Sequence, residues 1–234
     1  MNSKPVIELS NLMKKFPVGD GFFTALNKID LQFGEGEFAG LVGPSGSGKT
    51  TLLNIIGSLD TPTEGKSLVM GQSIAKLTAK ESAKLRNENI GFIFQSYNLL
   101  PVYTVYENVE FALLLQNIPS EKRKKMVMES LEWIGLTDKA DSRPSQLSGG
   151  ESQRVAIARA MVKRPPIVLA DEPSANLDTK NSHTILQTMK KLNEEFKTTF
   201  IFATHDEKVM QYLKRIVSLR DGMVEKDEEI LQIG

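Results

Sequence analysis

The chain has 234 residues, with 29 Lys and Arg balanced by 29 Asp and Glu, and no cysteine. Zero net charge excludes a global electrostatic draw toward nucleic acid, and the absence of cysteine excludes disulfides and thiolate metal sites. The length suits one or two domains with a substantial core, and the longest apolar stretches, such as Phe111 to Leu115, fall far short of the ~20 residues of a spanning helix. The opening Met-Asn-Ser-Lys-Pro-Val-Ile-Glu lacks an apolar h-region, so no signal peptide is expected, and any membrane belongs to a partner.

In chain order, strand-like runs come first: Val6 to Leu9, Ile29 to Phe33 and Phe38 to Val42, with Gly34-Glu35-Gly36 as a turn. Residues 43 to 50 then read Gly-Pro-Ser-Gly-Ser-Gly-Lys-Thr, directly before a helical pattern in Leu52, Leu53, Ile55 and Ile56. Strand, loop and helix are the context this phosphate-binding pattern requires. Gly43, Gly46 and Gly48 let the backbone curl until several N–H groups face a polyphosphate, and the positive end of the helix faces the same anion. Lys49 can reach the β and γ phosphates, and the Thr50 hydroxyl can ligate Mg²⁺. The plain alternative is a glycine-rich turn before a helix, which the Lys-Thr pair disfavours. Alone, this loop suits a kinase, a GTPase, a helicase or a transport ATPase.

The segment from about Asn98 to Lys163 reads as helix-rich, with Pro119-Ser120 as a helix start and Val127, Leu131 and Ile134 at i, i+4, i+7. Lys122-Arg123-Lys124-Lys125 is expected to be a solvated helix face, with nucleic-acid contact the remote alternative. Residues 147 to 154 read Leu-Ser-Gly-Gly-Glu-Ser-Gln-Arg before another helical run. Ser148, Gly149 and Gly150 place a hydroxyl and bare amides at a helix N-terminus, a second anion cradle or an ordinary cap. Ile167 to Ala170 is a buried-strand run ending in Asp171-Glu172. A strand-end carboxylate suits Mg²⁺, and Glu172 can orient or deprotonate a water. A helix bearing Ile185, Met189 and Leu192 and a strand from Thr199 to Ala203 complete an alternation that predicts a parallel sheet covered by helices. Beyond His205 one helix and a hairpin are expected.

These motifs, in this order, resemble the nucleotide-binding subunit of an ABC transporter along nearly the whole chain: the phosphate loop, Gln95 in Phe-Gln-Ser, the signature Leu147 to Glu151, Asp171-Glu172, Ser174 to Asp178, and Thr204-His205-Asp206. Ile90 to Pro101 and the early Gly-Glu-Phe at 36 to 38 are most similar to the lipoprotein-releasing and macrolide-exporter branch, with the cell-division subunit nearby (LolD/MacB/FtsE-like). The resemblance implies an α/β fold: a P-loop NTPase (RecA-like) core over 1–97 and 164–234, an N-terminal antiparallel β subdomain, and an inserted α-helical subdomain over about 98–163, all one ABC ATPase domain. It implies an ATPase using ATP and Mg²⁺. Ser45, Ser47 and Thr51 join the rest of the loop as cofactor-binding residues, with Thr50, Gln95 and Asp171 on the metal.

The resemblance also implies that Phe16 stacks on adenine; the alternative is a core aromatic. Gln95 would touch Mg²⁺ and the attacking water, and His205 the γ-phosphate, with Glu172 as the third catalytic residue. His183, the other histidine, is expected on the surface. Glu151 stands where glutamine is commonest, which leaves its ribose or phosphate contact open. Ser148, Gly149, Gly150 and Glu151 would close over ATP held by a second copy, with Asp178 at the interface. The expected partners are a homodimer in the ATP state and an integral-membrane permease, with no direct nucleic acid. That puts the chain in the cytoplasm, peripheral at the inner face of the cell membrane. A permease helix is expected in a groove beside Gln95, walled by Ser96 to Pro101 and a helix bearing Tyr103, Tyr106 and Val109, with Tyr97, Leu99, Leu100 and Tyr103 as anchors or else as core of the lobe. Two other readings remain: a non-transporting ATPase that signals through a membrane partner, and a soluble phosphoryl-transfer or DNA-maintenance ATPase. Against the second stand the signature and the lack of a coiled-coil insertion or second phosphate loop.

Overall fold

The computed structural model describes residues 5–230; Met1 to Lys4, part of the stretch without a signal-peptide pattern, lie outside the described residues. Two sheets share the molecule. Strands β1 (Ile7–Val18), β2 (Gly21–Phe33), β4 (Glu64–Val69) and β5 (Gln72–Ser73) make a four-stranded antiparallel sheet in the order β2-β1-β4-β5. The second sheet runs β10 (Met223–Glu229), β9 (Arg215–Arg220), β3 (Phe38–Val42), β8 (Thr199–Thr204), β7 (Ile167–Asp171) and β6 (Ile90–Ile93), parallel apart from β10. Strands β7 and β8 are almost continuous apolar runs because helices cover both faces of this sheet.

The opening hairpin is longer than the apolar runs suggested: β1 reaches Val18 and β2 starts at Gly21. Its distal half carries Lys14, Lys15, Phe16, Phe22 and Phe23, which lack strand alternation and are held by the β1–β2 ladder instead. Strands β4 and β5 and helix α2 (Ala79–Asn89) carry too few apolar residues to stand out by periodicity, and α2 buries only Leu85.

Helix starts obey local chemistry. α2, α3 (Val105–Glu110) and α5 (Gly149–Met161) each begin with a capping box, Thr78 with Glu81, Thr104 with Glu107, and Ser148 with Glu151. Helix α1 (Lys49–Ile56) instead follows Gly48, whose φ of 101° a side chain would strain. α4 (Ser120–Trp133) begins after Pro119 and buries Val127 and Leu131, with Ile134 buried just beyond its end.

The helical lobe has its own core of Val105, Val109, Leu113, Val127, Leu131 and Ile134. α5 joins it to the sheet. Val155, Ala158 and Val162 pack into the lobe, while Ile157, Ala160 and Met161 pack with α6 (Thr179–Phe196) on the central strands. The basic run at 122–125 departs from the expected solvated face at one position. Arg123 turns inward, donating Nε–H to Glu110 Oε1 at 2.9 Å and an Nη1 hydrogen to the Ile118 carbonyl at 2.7 Å.

Candidate functional site

Four strand ends of the parallel sheet converge on one cavity of about 430 Å³. After β3 come Ser45, Gly46, Ser47, Gly48, Lys49, Thr50 and Thr51; after β6, Gln95; after β7 and β8, Asp171, Glu172 and His205; the antiparallel sheet closes one end with Phe16, Phe23 and Ala25. A parallel sheet makes this clustering, since all its strand carboxyl ends share one edge.

Lys49 is 7% exposed, and its ammonium donates to the Gly43 carbonyl at 2.7 Å and the Pro44 carbonyl at 2.9 Å. Gly46 (φ 80°) and Gly48 (φ 101°) hold the left-handed turns that aim the loop amides inward. Ser47 Oγ is buried without a hydrogen-bond partner. The Thr50 hydroxyl lies 3.3 and 3.2 Å from the two Asp171 carboxylate oxygens, across 121 residues of sequence. Burial raises the Asp171 pKa above the ordinary carboxylate range, opposed by the Thr50 hydroxyl.

Glu172 adopts a left-handed φ of 45°, uncommon for a residue with a side chain and characteristic of functional sites. Both its carboxylate oxygens are engaged: Oε1 stands 2.6 Å from His205 Nδ1, and Oε2 accepts from the Thr204 hydroxyl at 3.1 Å. Phe16 is 37% exposed and lines the cavity, with Lys14 Nζ 4.9 Å from its ring centroid. It is therefore no core aromatic. Phe23, its cross-strand partner, adds a second ring to the same wall. Sequence reading missed Phe23 and Ala25, because only the hairpin register reveals which aromatic faces Phe16.

Ser148, Gly149, Gly150, Glu151 and Asp178 do not line this cavity. Ser148 Oγ accepts from the Glu151 N–H at 3.3 Å, and Glu151 Oε2 accepts from the Ser148 N–H at 2.7 Å. Those two bonds to Ser148, backbone first, lower the Glu151 pKa. The acid at 151 thus serves its own helix cap, where a negative charge also suits the helix dipole. Asp178 caps α6, accepting from the Asn181 N–H at 2.9 Å and the Asn181 amide at 2.7 Å, which lower its pKa. His183 is exposed on α6 and contacts the Tyr212 hydroxyl.

A second groove, about 460 Å³, lies beside the Gln95 segment; Asn98 of the expected Ser96–Pro101 wall lines it, but Tyr103, Tyr106 and Val109 do not. Leu59, Phe92, Phe94, Phe111 and Leu115 line it, with Arg86, Arg159 and Lys163. Val109 is fully buried, and Leu99 and Tyr106 pack on the lobe core, so these serve the lobe itself. Leu115 is 78% exposed.

A fold of this kind, with a strand-loop-helix phosphate cradle and carboxylates on the neighbouring strand end, defines an ATP-hydrolysing P-loop protein. The chain belongs to the ABC transporter family, whose pattern it matches over residues 26–175, and is an ATP-binding subunit and ATPase of that family. It is 44% identical over 229 residues to an uncharacterized ABC transporter ATP-binding protein of Methanocaldococcus jannaschii, MJ0796, covering 96% of this chain and 97% of that protein. It is 42% identical over 222 residues to the lipoprotein-releasing system ATP-binding protein LolD of Bacteroides thetaiotaomicron, covering 95% of this chain and all of that protein (100%). Among solved structures, the dimeric post-hydrolysis state of MJ0796 bound to ADP and Pi superposes with a TM-score of 0.89 at 43% identity, covering 97% of this chain and 100% of that one. No helix among the described residues is long and apolar enough to cross a membrane.

Proposed function

We propose that this chain hydrolyses ATP within a head-to-tail homodimer and thereby drives a separate membrane permease of the lipoprotein-release or macrolide-export type. The observation that carries the reading is a division of labour. One copy supplies the phosphate loop, Thr50, Asp171, Glu172, His205 and Gln95 to the cavity, while its signature residues lie outside it and are free to close a second copy's cavity. The dimeric relative bound to ADP and Pi supports such an assembly, and the LolD relative supports the branch.

In this reading the phosphate loop amides and Lys49 hold the β and γ phosphates, and Phe16 stacks on the base. The cation-binding residues fit Mg²⁺. Thr50 hydroxyl, Asp171 carboxylate and Gln95 amide are hard oxygen donors. Among the described residues no group of three His, Cys, Asp or Glu could hold a metal unaided, which suits an ion that arrives with the phosphates. When bound, Mg²⁺ neutralises developing charge on the β and γ oxygens. Glu172 orients the attacking water and accepts its proton, and His205, 2.6 Å from Glu172, both fixes that carboxylate and faces the γ-phosphate. Ser148 and the bare backbone of Gly150 close over the triphosphate from the second copy, so binding favours the closed dimer and hydrolysis releases it.

The permease is proposed to seat a short cytoplasmic helix in the groove walled by Phe92, Phe94, Phe111 and Leu115, with Arg86, Arg159 and Lys163 favouring an acidic residue on it. The decisive experiment is Glu172→Gln. It is expected to bind ATP, lose about 10²–10⁴-fold in turnover, and yield an ATP-dependent dimer that a bulky residue at Ser148 prevents. A residual rate above about a tenth of the parent's removes Glu172 from the base role.

A further inference from the structure

The β1–β2 hairpin builds an aromatic corner at one end of the nucleotide cavity. Phe16 and Phe23 are Cα partners in its ladder, so their side chains leave the same face of the sheet, with Cβ atoms about 4.5–5.5 Å apart. Both line the cavity, and so does Ala25, two residues further along β2 on the same side. Phe22 and Thr24 alternate with them and do not line it. Phe16 has only one ring face to offer a base. Lys14 Nζ stands 4.9 Å from its ring centroid, fixed there by Asp60 Oδ1 at 2.5 Å and the Thr61 carbonyl at 2.9 Å. Lys14 does not line the cavity, so its ammonium covers the side of the ring turned away from it. Phe23 is the more exposed of the two rings, at 56% against 37%.

A base stacked on the open face of Phe16 meets the neighbouring strand where Phe23 stands. We propose that Phe23 is a second base-contacting residue, whose ring packs on the purine held by Phe16 and fixes it in one pose. The contact is apolar, since neither ring nor Ala25 carries a hydrogen-bonding group, and its driving force is the covering of a ring that the free protein leaves half in water. The inference rests on the reading of this cavity as an ATP site with Phe16 under the base. It goes beyond that reading by giving a role to a residue that stands in none of the ordered motifs. A Phe23 that only held the hairpin together would affect every ligand of the cavity alike. A base contact affects only ligands that carry a base.

In a Glu172→Gln background, calorimetry with Mg-ATP and with Mg-tripolyphosphate compares Phe23→Ala, Phe22→Ala and Phe16→Ala with the parent. Losing the burial of about half a phenylalanine predicts a rise of about 3- to 12-fold in the Kd for ATP in Phe23→Ala. Its affinity for tripolyphosphate stays within about twofold, because the phosphate loop is untouched. Phe22→Ala removes a ring of the same size from the other face of the same strand, and both ligands should bind it within about twofold of the parent. Phe23→Leu, which keeps an apolar side chain on the strand, recovers part of the ATP affinity. Phe23→Trp adds an indole to the one natural tryptophan, Trp133, which packs on Phe196 in a different part of the molecule. Its emission changes with ATP and not with tripolyphosphate. Three results overturn the proposal: unchanged ATP affinity in Phe23→Ala, an equal loss for tripolyphosphate, or an equal loss of ATP affinity in Phe22→Ala. If Phe16→Ala weakens ATP and Phe23→Ala does not, the proposal falls alone. If neither weakens ATP, the base lies elsewhere and the stacking reading of Phe16 falls with it.

Discussion

Replacing Lys49 with alanine tests the site at its most charged point. The side chain is 7% exposed, and its ammonium sits between the Gly43 and Pro44 carbonyls, 2.7 and 2.9 Å away, held toward the cavity before any ligand arrives. Little ordering entropy therefore opposes its contact with phosphate, and the loss on truncation should approach the full value of a hydrogen bond between charged groups. That is about 1.5–3 kcal/mol, or roughly a 10- to 150-fold rise in Kd. The fold should change little by comparison, because Gly43 is half-buried and Pro44 exposed, so water can take over their carbonyls. Isothermal titration calorimetry with Mg-ATP, in a Glu172→Gln background that stops turnover, measures the affinity, and urea unfolding serves as the control. Unchanged affinity in a folded variant would refute the assignment of this loop to phosphate.

Phe16→Ala should weaken ATP binding by about 1–3 kcal/mol through lost stacking while Phe16→Tyr stays near the parent; equal affinities for all three would remove Phe16 from the base. Arg215 is a staple that no motif announced. It forks onto Asp227 with two bonds of 2.8 Å, reaches Glu37 at 2.8 Å and the Gln32 carbonyl at 2.7 Å, and lies 5.0 Å over the Phe33 ring. Arg215→Ala should cost about 2–3 kcal/mol in urea unfolding, and Arg215→Lys should recover only part, since an ammonium cannot fork. Lys163 supplies a pH test: burial lowers its pKa from 10.5 to about 8. Between those values the unfolded chain binds more protons, so stability should rise with pH across that window, with the full penalty for burying the charge present below pH 8. Relative to Lys163→Met, the parent should gain up to about 3 kcal/mol between about pH 7.5 and about pH 10. A flat difference would mean that its bonds to the Arg86 and Asn87 carbonyls, at 2.8 and 2.6 Å, keep the charge in place.

Chemistry confined to a few neighbouring residues was legible from the chain alone. The phosphate loop from Gly43 to Thr50, the Asp171-Glu172 strand end and the order of the family motifs all depend on residues adjacent in sequence. So does the helix start at Ser148, whose capping partner Glu151 stands three residues on. The Val127, Leu131 and Ile134 periodicity likewise marks a helix face without reference to anything distant. Tertiary structure decided what depends on register and sheet order. The β1–β2 ladder sets Phe23 opposite Phe16, and strand order brings Thr50 to Asp171 across 121 residues. Tyr106 and Val109, on α3, pack on the lobe core, while Phe111 and Leu115, on the 3-10 turn that follows it (Phe111–Gln116), line the groove, and an apolar residue looks the same in sequence whether it fills a core or lines a surface. Even at Glu151, the identity of the residue left its contact open. The structure supplies one contact that the sequence did not, the Ser148 backbone N–H 2.7 Å from Glu151 Oε2 in the same helix cap.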